Sequence, residues 1–173
     1  MIVVLMGYMG SGKSTIGRDL AKTLNYKFLD LDDYIVENEN GSISDIFNNK
    51  GEIYFRKKES KYLQNILNDK ESIVLALGGG TPCYGKNLEK LLSDINVKTF
   101  YLKLSIPLLI ERLFNEQDKR PLISHLNSKD ELTEFIGKHL FERAQYYNRA
   151  EVVINVVNDS KQNIIEKILV NLI

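Results

Sequence analysis

The sequence predicts an α/β protein built on a parallel sheet that is covered on both faces. Short apolar runs alternate with helical patterns along the chain, the rhythm of βαβ units. The runs mostly lack the in–out alternation of a half-exposed strand, as expected when helices pack on each side. The 173 residues, 43% hydrophobic and 27% charged, suit one globular domain with a substantial core.

The first predicted strand is "IVVLM" at 2–6, followed by a glycine-rich turn and a helix over 13–24. "KFLDL" at 27–31 is the second strand, and helical patterns fill 43–68 in two pieces that break near "NNKGE" at 48–52. "SIVLAL" at 72–77 is the third strand, with a helix over 86–94 behind it. "KTFYLKL" at 98–104 and "EVVINVV" at 151–157 complete five strands, with helices over 106–115, 131–147 and 161–172. The polar segment 115–131, "NEQDKRPLISHLNSKDE", reads as a surface loop or a lid. No internal repeat or low-complexity linker interrupts the pattern.

Composition excludes several classes of function. Lys plus Arg and Asp plus Glu are 23 each, so the formal net charge is zero, without the basic surplus of a nucleic-acid binder. The single cysteine, Cys83, rules out an internal disulfide and a cysteine-built metal site. It reads as a small half-buried residue. No apolar run approaches the roughly 18 residues that cross a bilayer, and the N-terminal run lacks the basic lead of a secretory signal. A cytoplasmic protein with no membrane or nucleic-acid partner is expected.

"GYMGSGKST", Gly7 to Thr15, carries the most specific signal. It fits G-x-x-x-x-G-K-[ST] and lies between a strand and a helix, the context that this phosphate-binding loop requires. Its glycines permit positive φ and close approach of a ligand, and successive N–H groups with the helix N-terminus form an anion-binding concavity. Gly10, Ser11, Gly12, Lys13, Ser14 and Thr15 are therefore candidate ATP-binding residues, with Lys13 on the β- and γ-phosphates and Ser14 on Mg²⁺. N-K-x-D base recognition is absent, and the chain leaves little room for a motor's coupling apparatus. A small-molecule kinase is favoured, and it needs an acceptor pocket.

Three further clusters could build that pocket. In "FLDLDDYI", Asp30 and Asp32 are two apart at a predicted strand end, so both side chains point to one side, while Asp33 points away and caps the next helix. One carboxylate would sit near the metal and the other would accept the proton of an attacking hydroxyl. In "LALGGGTPCYG", Gly78, Gly79 and Gly80 remove side chains from three successive positions, which suits close approach of a ligand. Arg56, Arg120 and Arg143 are candidate anion-binding arginines, and the helical spacing around Arg56 tilts it toward a partly buried face.

The ordered set GxxGxGKSTxG, FxDxD, FR, GGG, RP and ERxxxY closely resembles the shikimate kinase family, over nearly the whole chain. The resemblance implies a five-stranded parallel sheet of order 2-3-1-4-5 with flanking helices and a mobile lid, like the nucleoside monophosphate kinases. It implies one domain over 1–173, with the lid at about 115–131. The activity implied is ATP-dependent phosphorylation of the 3-hydroxyl of shikimate, on the way to chorismate and the aromatic amino acids, with Mg²⁺ as cofactor and a monomer as the working unit.

By the same resemblance, Lys13, Asp32 and Arg120 are the catalytic residues, with Asp32 orienting the hydroxyl and Arg120 reaching the transferring phosphate. Arg112 resembles the family's adenine-stacking arginine. Arg56 and Arg143 would clamp the substrate carboxylate, and Gly78, Gly79 and Gly80 would line the acceptor pocket. Ser14 would hold the metal directly and Asp30 through water. Where the family often has Ile-Glu, this chain has Ile35-Val36, with Glu37 one place later and read as structural. Arg149 matches no motif, and His125 and His139 read as surface or boundary residues. Gluconate kinase, or a nucleotide-binding module without catalysis, is the alternative. The joint pattern disfavours the first, and retention of Lys13, Asp32 and Arg120 disfavours the second.

Overall fold

The computed structural model describes residues 1–69, 71–116, 120 and 122–172. Five strands, β1 (Ile2–Met6), β2 (Lys27–Asp30), β3 (Ile73–Ala76), β4 (Val97–Leu104) and β5 (Val152–Val156), form one sheet in the order β2-β3-β1-β4-β5. Every pairing is parallel, with Val4 opposite Leu75 on one side and Leu5 opposite Phe100 on the other. All five β1 side chains are buried, each stabilising the fold by roughly 1.5–3 kcal/mol where the side chain is large and apolar. The predicted order and strand direction are thus observed.

The helices are α1 (Lys13–Leu24), α2 (Leu31–Glu39), α3 (Ile43–Asn68), α4 (Asn87–Ser93), α5 (Ile106–Phe114), α6 (Lys129–Tyr147) and α7 (Lys161–Val170). Helix α1 packs tightly on β2: a methyl group at Gly17 would come within 2.5 Å of the Phe28 ring. Helix α3 opens with a reciprocal Ser42–Asp45 capping box and is broken at Gly51, whose φ of 80° suits glycine. That break falls where "NNKGE" predicts one. Among the described residues no helix is long and apolar enough to cross a membrane.

Helix α2 is absent from the sequence-based expectation, and its presence corrects the geometry of the aspartates. Strand β2 ends at Asp30, which caps α2 by accepting a hydrogen bond from the Asp32 N–H at 3.1 Å. Asp32 therefore lies in the first turn of a helix, and strand alternation does not bring it beside Asp30. Asp33 is not the cap; its exposed carboxylate faces Arg18 at 3.9 Å. Only Leu31 and Ile35 of α2 are buried, so its apolar pattern is too sparse to announce a helix.

Candidate active site

The turn after β1 wraps around its own lysine. Gly10 and Gly12 take positive φ of 77° and 92°, and Gly12 is the N-cap of α1. Lys13 Nζ donates to the carbonyls of Gly7 and Tyr8 at 2.9 and 3.0 Å. Burial pulls its pKa down to about 8, against the attraction of Asp32 and Asp30. Next to it, Ser14 Oγ donates to Asp30 Oδ2 at 2.6 Å.

A cleft of about 610 Å³ opens at the carboxyl ends of the central strands, where ligands of open α/β sheets bind. The described lining includes Met9, Gly10 and Gly12 to Thr15, Asp30 and Asp32, Gly78 and Gly79 after β3, and Arg112, Glu116 and Arg120. Arg112 donates to the Gly10 carbonyl at 3.1 Å, which holds α5 against the loop. Arg120 is fastened to Glu116 through Nη2 at 2.7 Å and Nε at 3.1 Å. Residues 117–119 and 121 of the predicted lid lie outside the described residues.

Asp32 faces the cleft with its pKa pushed up to about 6 by burial first, then by the Asp30 and Glu59 carboxylates. Such a group is ionised at neutral pH yet basic enough to take a proton.

The three glycines after β3 meet three different side chains. A methyl group on Gly78 would lie 2.8 Å from Asp32 Oδ1, one on Gly79 would lie 3.5 Å from Arg143 Nη1, and one on Gly80 would lie 2.9 Å from Arg56 Nη2. Their missing side chains make room for these polar groups. The run was expected to admit a ligand; what it admits in this structure is Asp32, Arg143 and Arg56. Substituting Gly80→Ala leaves the backbone unstrained but pushes the Arg56 guanidinium aside. Its expected effect is about a tenfold rise in the acceptor KM, the scale of one weakened charge-assisted hydrogen bond, with the ATP KM unchanged. Steady-state kinetics check this, and an unaltered acceptor KM counts against Arg56 as a binding group.

Several supporting residues escaped the sequence reading. Glu59, 1% exposed at its side chain, pairs with Arg56 Nη1 at 2.9 Å and accepts from Thr81 Oγ1 at 2.7 Å. The Tyr84 ring stacks on the Arg56 guanidinium at 3.9 Å. Arg56 Nε is buried and makes no hydrogen bond; the Glu52 carboxylate faces it as an ion pair at 3.5 Å. Tyr147, the tyrosine of the ERxxxY motif, gains its role only here: its Oη donates to the Gly79 carbonyl and fixes the glycine turn from α6. The Arg56–Glu59 spacing of three on a helix was the one available signal.

The remaining candidates also find places. Cys83 is half-buried, and burial pushes its thiol up to about 11, so it is a poor nucleophile. His139 is more than a boundary residue: its Nδ1 and Tyr8 Oη share a 2.9 Å hydrogen bond that ties the phosphate loop to α6. His125 stands edge-on to Phe135, and Arg149 pairs with Glu89 at 3.0 Å. Glu37 is exposed, so it is not the structural glutamate; that part falls to Glu39, 4% exposed at its side chain.

A strand–glycine loop–helix unit with a basic, carboxylate-bearing cleft beside it defines the class as a P-loop kinase acting on a small molecule. The sequence model of the family described as shikimate kinase matches residues 9–173. The shikimate kinase of Flavobacterium psychrophilum is 46% identical over 96% of this chain and 95% of its own length. The crystal structure of shikimate kinase from Bacteroides thetaiotaomicron superposes with a TM-score of 0.90 at 31% identity, covering 99% of this chain and 98% of that one. That of shikimate kinase from Acinetobacter baumannii in complex with shikimate gives 0.84 at 30% identity, covering 99% and 92%. The chain belongs to the shikimate kinase family.

Proposed function

We propose that this protein transfers the γ-phosphoryl group of ATP to the 3-hydroxyl of shikimate, giving shikimate 3-phosphate and ADP for aromatic amino acid biosynthesis. The observation that carries the reading is the convergence of Asp32, Arg56 and Arg143 on the glycine turn beside the phosphate loop. It supports a reading in which Asp32 serves as base for a hydroxyl and the two guanidinium groups take a carboxylate. Lys13 holds the β- and γ-phosphates, the loop N–H groups from Gly10 to Thr15 cradle them, and Arg112 borders the adenine. Arg56 and Arg143 take the acceptor carboxylate, and Asp32 orients the attacking hydroxyl and accepts its proton. Arg120 leaves Glu116 to meet the charge on the transferring group.

Mg²⁺ suits this site. Ser14 Oγ and Asp30 Oδ2 form an oxygen pair at the cleft wall, and the ion prefers one or two protein oxygens completed by waters and substrate phosphates. Bound there, it would neutralise phosphate charge, with Ser14 as its ligand and Asp30 ordering its water. The reading takes a monomer as the working unit. The reading includes a single working domain whose segment 115–131 closes as a lid, and a cytoplasmic location, where ATP is available.

A coupled ADP-release assay with shikimate, quinate, gluconate and no acceptor in parallel tests the proposal. The expected result is turnover that depends on shikimate and exceeds that with gluconate. Faster turnover of gluconate, or ADP release indifferent to any acceptor, overturns it.

A further inference from the structure

The Glu39 carboxylate, at the last residue of α2, is surrounded by donors from α3. Its Oε1 accepts from Tyr62 Oη at 2.6 Å and pairs with Lys58 Nζ at 2.8 Å. Its Oε2 accepts from Tyr54 Oη at 2.6 Å and from Lys50 Nζ at 3.2 Å. Lys50 precedes the Gly51 break and the other three follow it, so this carboxylate spans the kink. Tyr54, Lys58 and Tyr62 are spaced at i, i+4 and i+8, one stripe of the second half of α3. Tyr34 of α2 adds an edge contact to Tyr62 at 5.7 Å. Lys58 above all, then the two tyrosine hydroxyls, hold the Glu39 pKa far below the usual carboxylate range.

The same two helices carry the acceptor site. Asp32 stands in the first turn of α2 and Glu39 about two turns later, roughly 10 Å along its axis. Arg56 and Glu59 lie off the tyrosine stripe on α3 and reach Gly80 and Thr81 instead. The relation of α2 to α3 therefore sets the distance between the group facing the hydroxyl and the group facing the carboxylate.

We infer that Glu39 is a positioning residue for acceptor recognition, which fixes the spacing of Asp32 and Arg56 by clamping α2 to both halves of α3. The inference rests on the acceptor site described above, although Glu39 touches neither substrate. A displacement of about 1 Å at a positioned group is enough to weaken a bound geometry substantially, and α3 has a ready pivot at Gly51.

Glu39→Gln is the test, because it keeps the shape and a carbonyl acceptor while removing the charge that holds the lysines. Its expected effect is a rise of about tenfold in the shikimate KM, within the usual range for coupled neighbours, with the ATP KM close to that of the parent. In an Arg56→Ala background the same change should add almost nothing, since its route through Arg56 is gone. A rise in both KM values together, an unchanged shikimate KM, or full additivity with Arg56→Ala overturns the inference. A readout independent of turnover is the Arg56 Nε–H resonance of the ligand-free protein, assigned through Arg56→Lys. It moves in Glu39→Gln if Glu39 sets the guanidinium, and a fixed resonance rejects the idea. If the parent does not phosphorylate shikimate, the functional reading fails while this resonance still decides the role of Glu39.

Discussion

Arg120→Ala lowers kcat by about 10³-fold, the scale on which an arginine delivered to a transferring phosphoryl group acts. The shikimate dissociation constant changes little, because Arg120 lies on the nucleotide side and not beside Arg56 and Arg143. In this structure its guanidinium is spent on Glu116, with Nη2 and Nε both donating to one carboxylate oxygen. That pair is a third to a half exposed, so solvent screens it, and exchanging Glu116 for a phosphate of higher charge costs little. The proposed closure of 115–131 would also exclude water, which protects a γ-phosphoryl group from hydrolysis. Hydrogen exchange across 115–131 should slow when nucleotide and shikimate are both bound. A normal kcat in the alanine variant removes Arg120 from catalysis, and equal protection with and without ligands identifies a fixed loop.

Asp32→Asn lowers kcat by about 10²-fold or more, the usual contribution of a positioned base, without loss of thermal stability. The stability half of the prediction follows from linkage. Burial and two neighbouring carboxylates raise the Asp32 pKa in the folded protein to about 6. A carboxylate with a raised folded pKa binds its proton more tightly in the native state. It therefore makes the protein less stable as pH rises from its unfolded value through about 6. At pH values above that window the parent bears this cost and the asparagine variant does not. Its melting temperature there should be no lower than that of the parent. The kcat/KM profile of the parent should rise through about pH 6, as Asp32 ionises, and fall beyond about pH 8, as Lys13 loses its proton. A flat profile across that range, or near-normal kcat in a folded Asp32→Asn protein, removes Asp32 from the reaction.

Legibility varied with the range of the contacts involved. Lys13 and Ser14 were readable because the phosphate loop is one continuous segment, whose spacing dictates its backbone geometry. Asp30 and Asp32 do lie together at the cleft, but not for the reason that strand alternation offered. They converge at a strand-to-helix junction capped by Asp30 itself, and α2 hides behind an acidic sequence with two buried side chains. Gly78, Gly79 and Gly80 were legible as positions of close approach. Their reason, room for Asp32, Arg143 and Arg56, required the partner side chains to be in place. Glu59 and the Tyr8–His139 pair were missed, since their partners lie 22 and 131 residues away along the chain.

By itself the sequence determined the phosphate-binding loop, the strand–helix alternation and the parallel sheet, because each is written in local spacing and apolar periodicity. Its joint motif order also pointed to the family. Only the tertiary structure decided how Asp32, Arg56 and Arg143 come together around the glycine turn. There Glu59 orients Arg56, the glycine turn yields space to three side chains, and Glu39 joins α2 to both halves of α3. The physical reason is that a buried carboxylate is tolerated only where donors from distant segments converge on it. That convergence is a product of packing, and no spacing within a single segment encodes it.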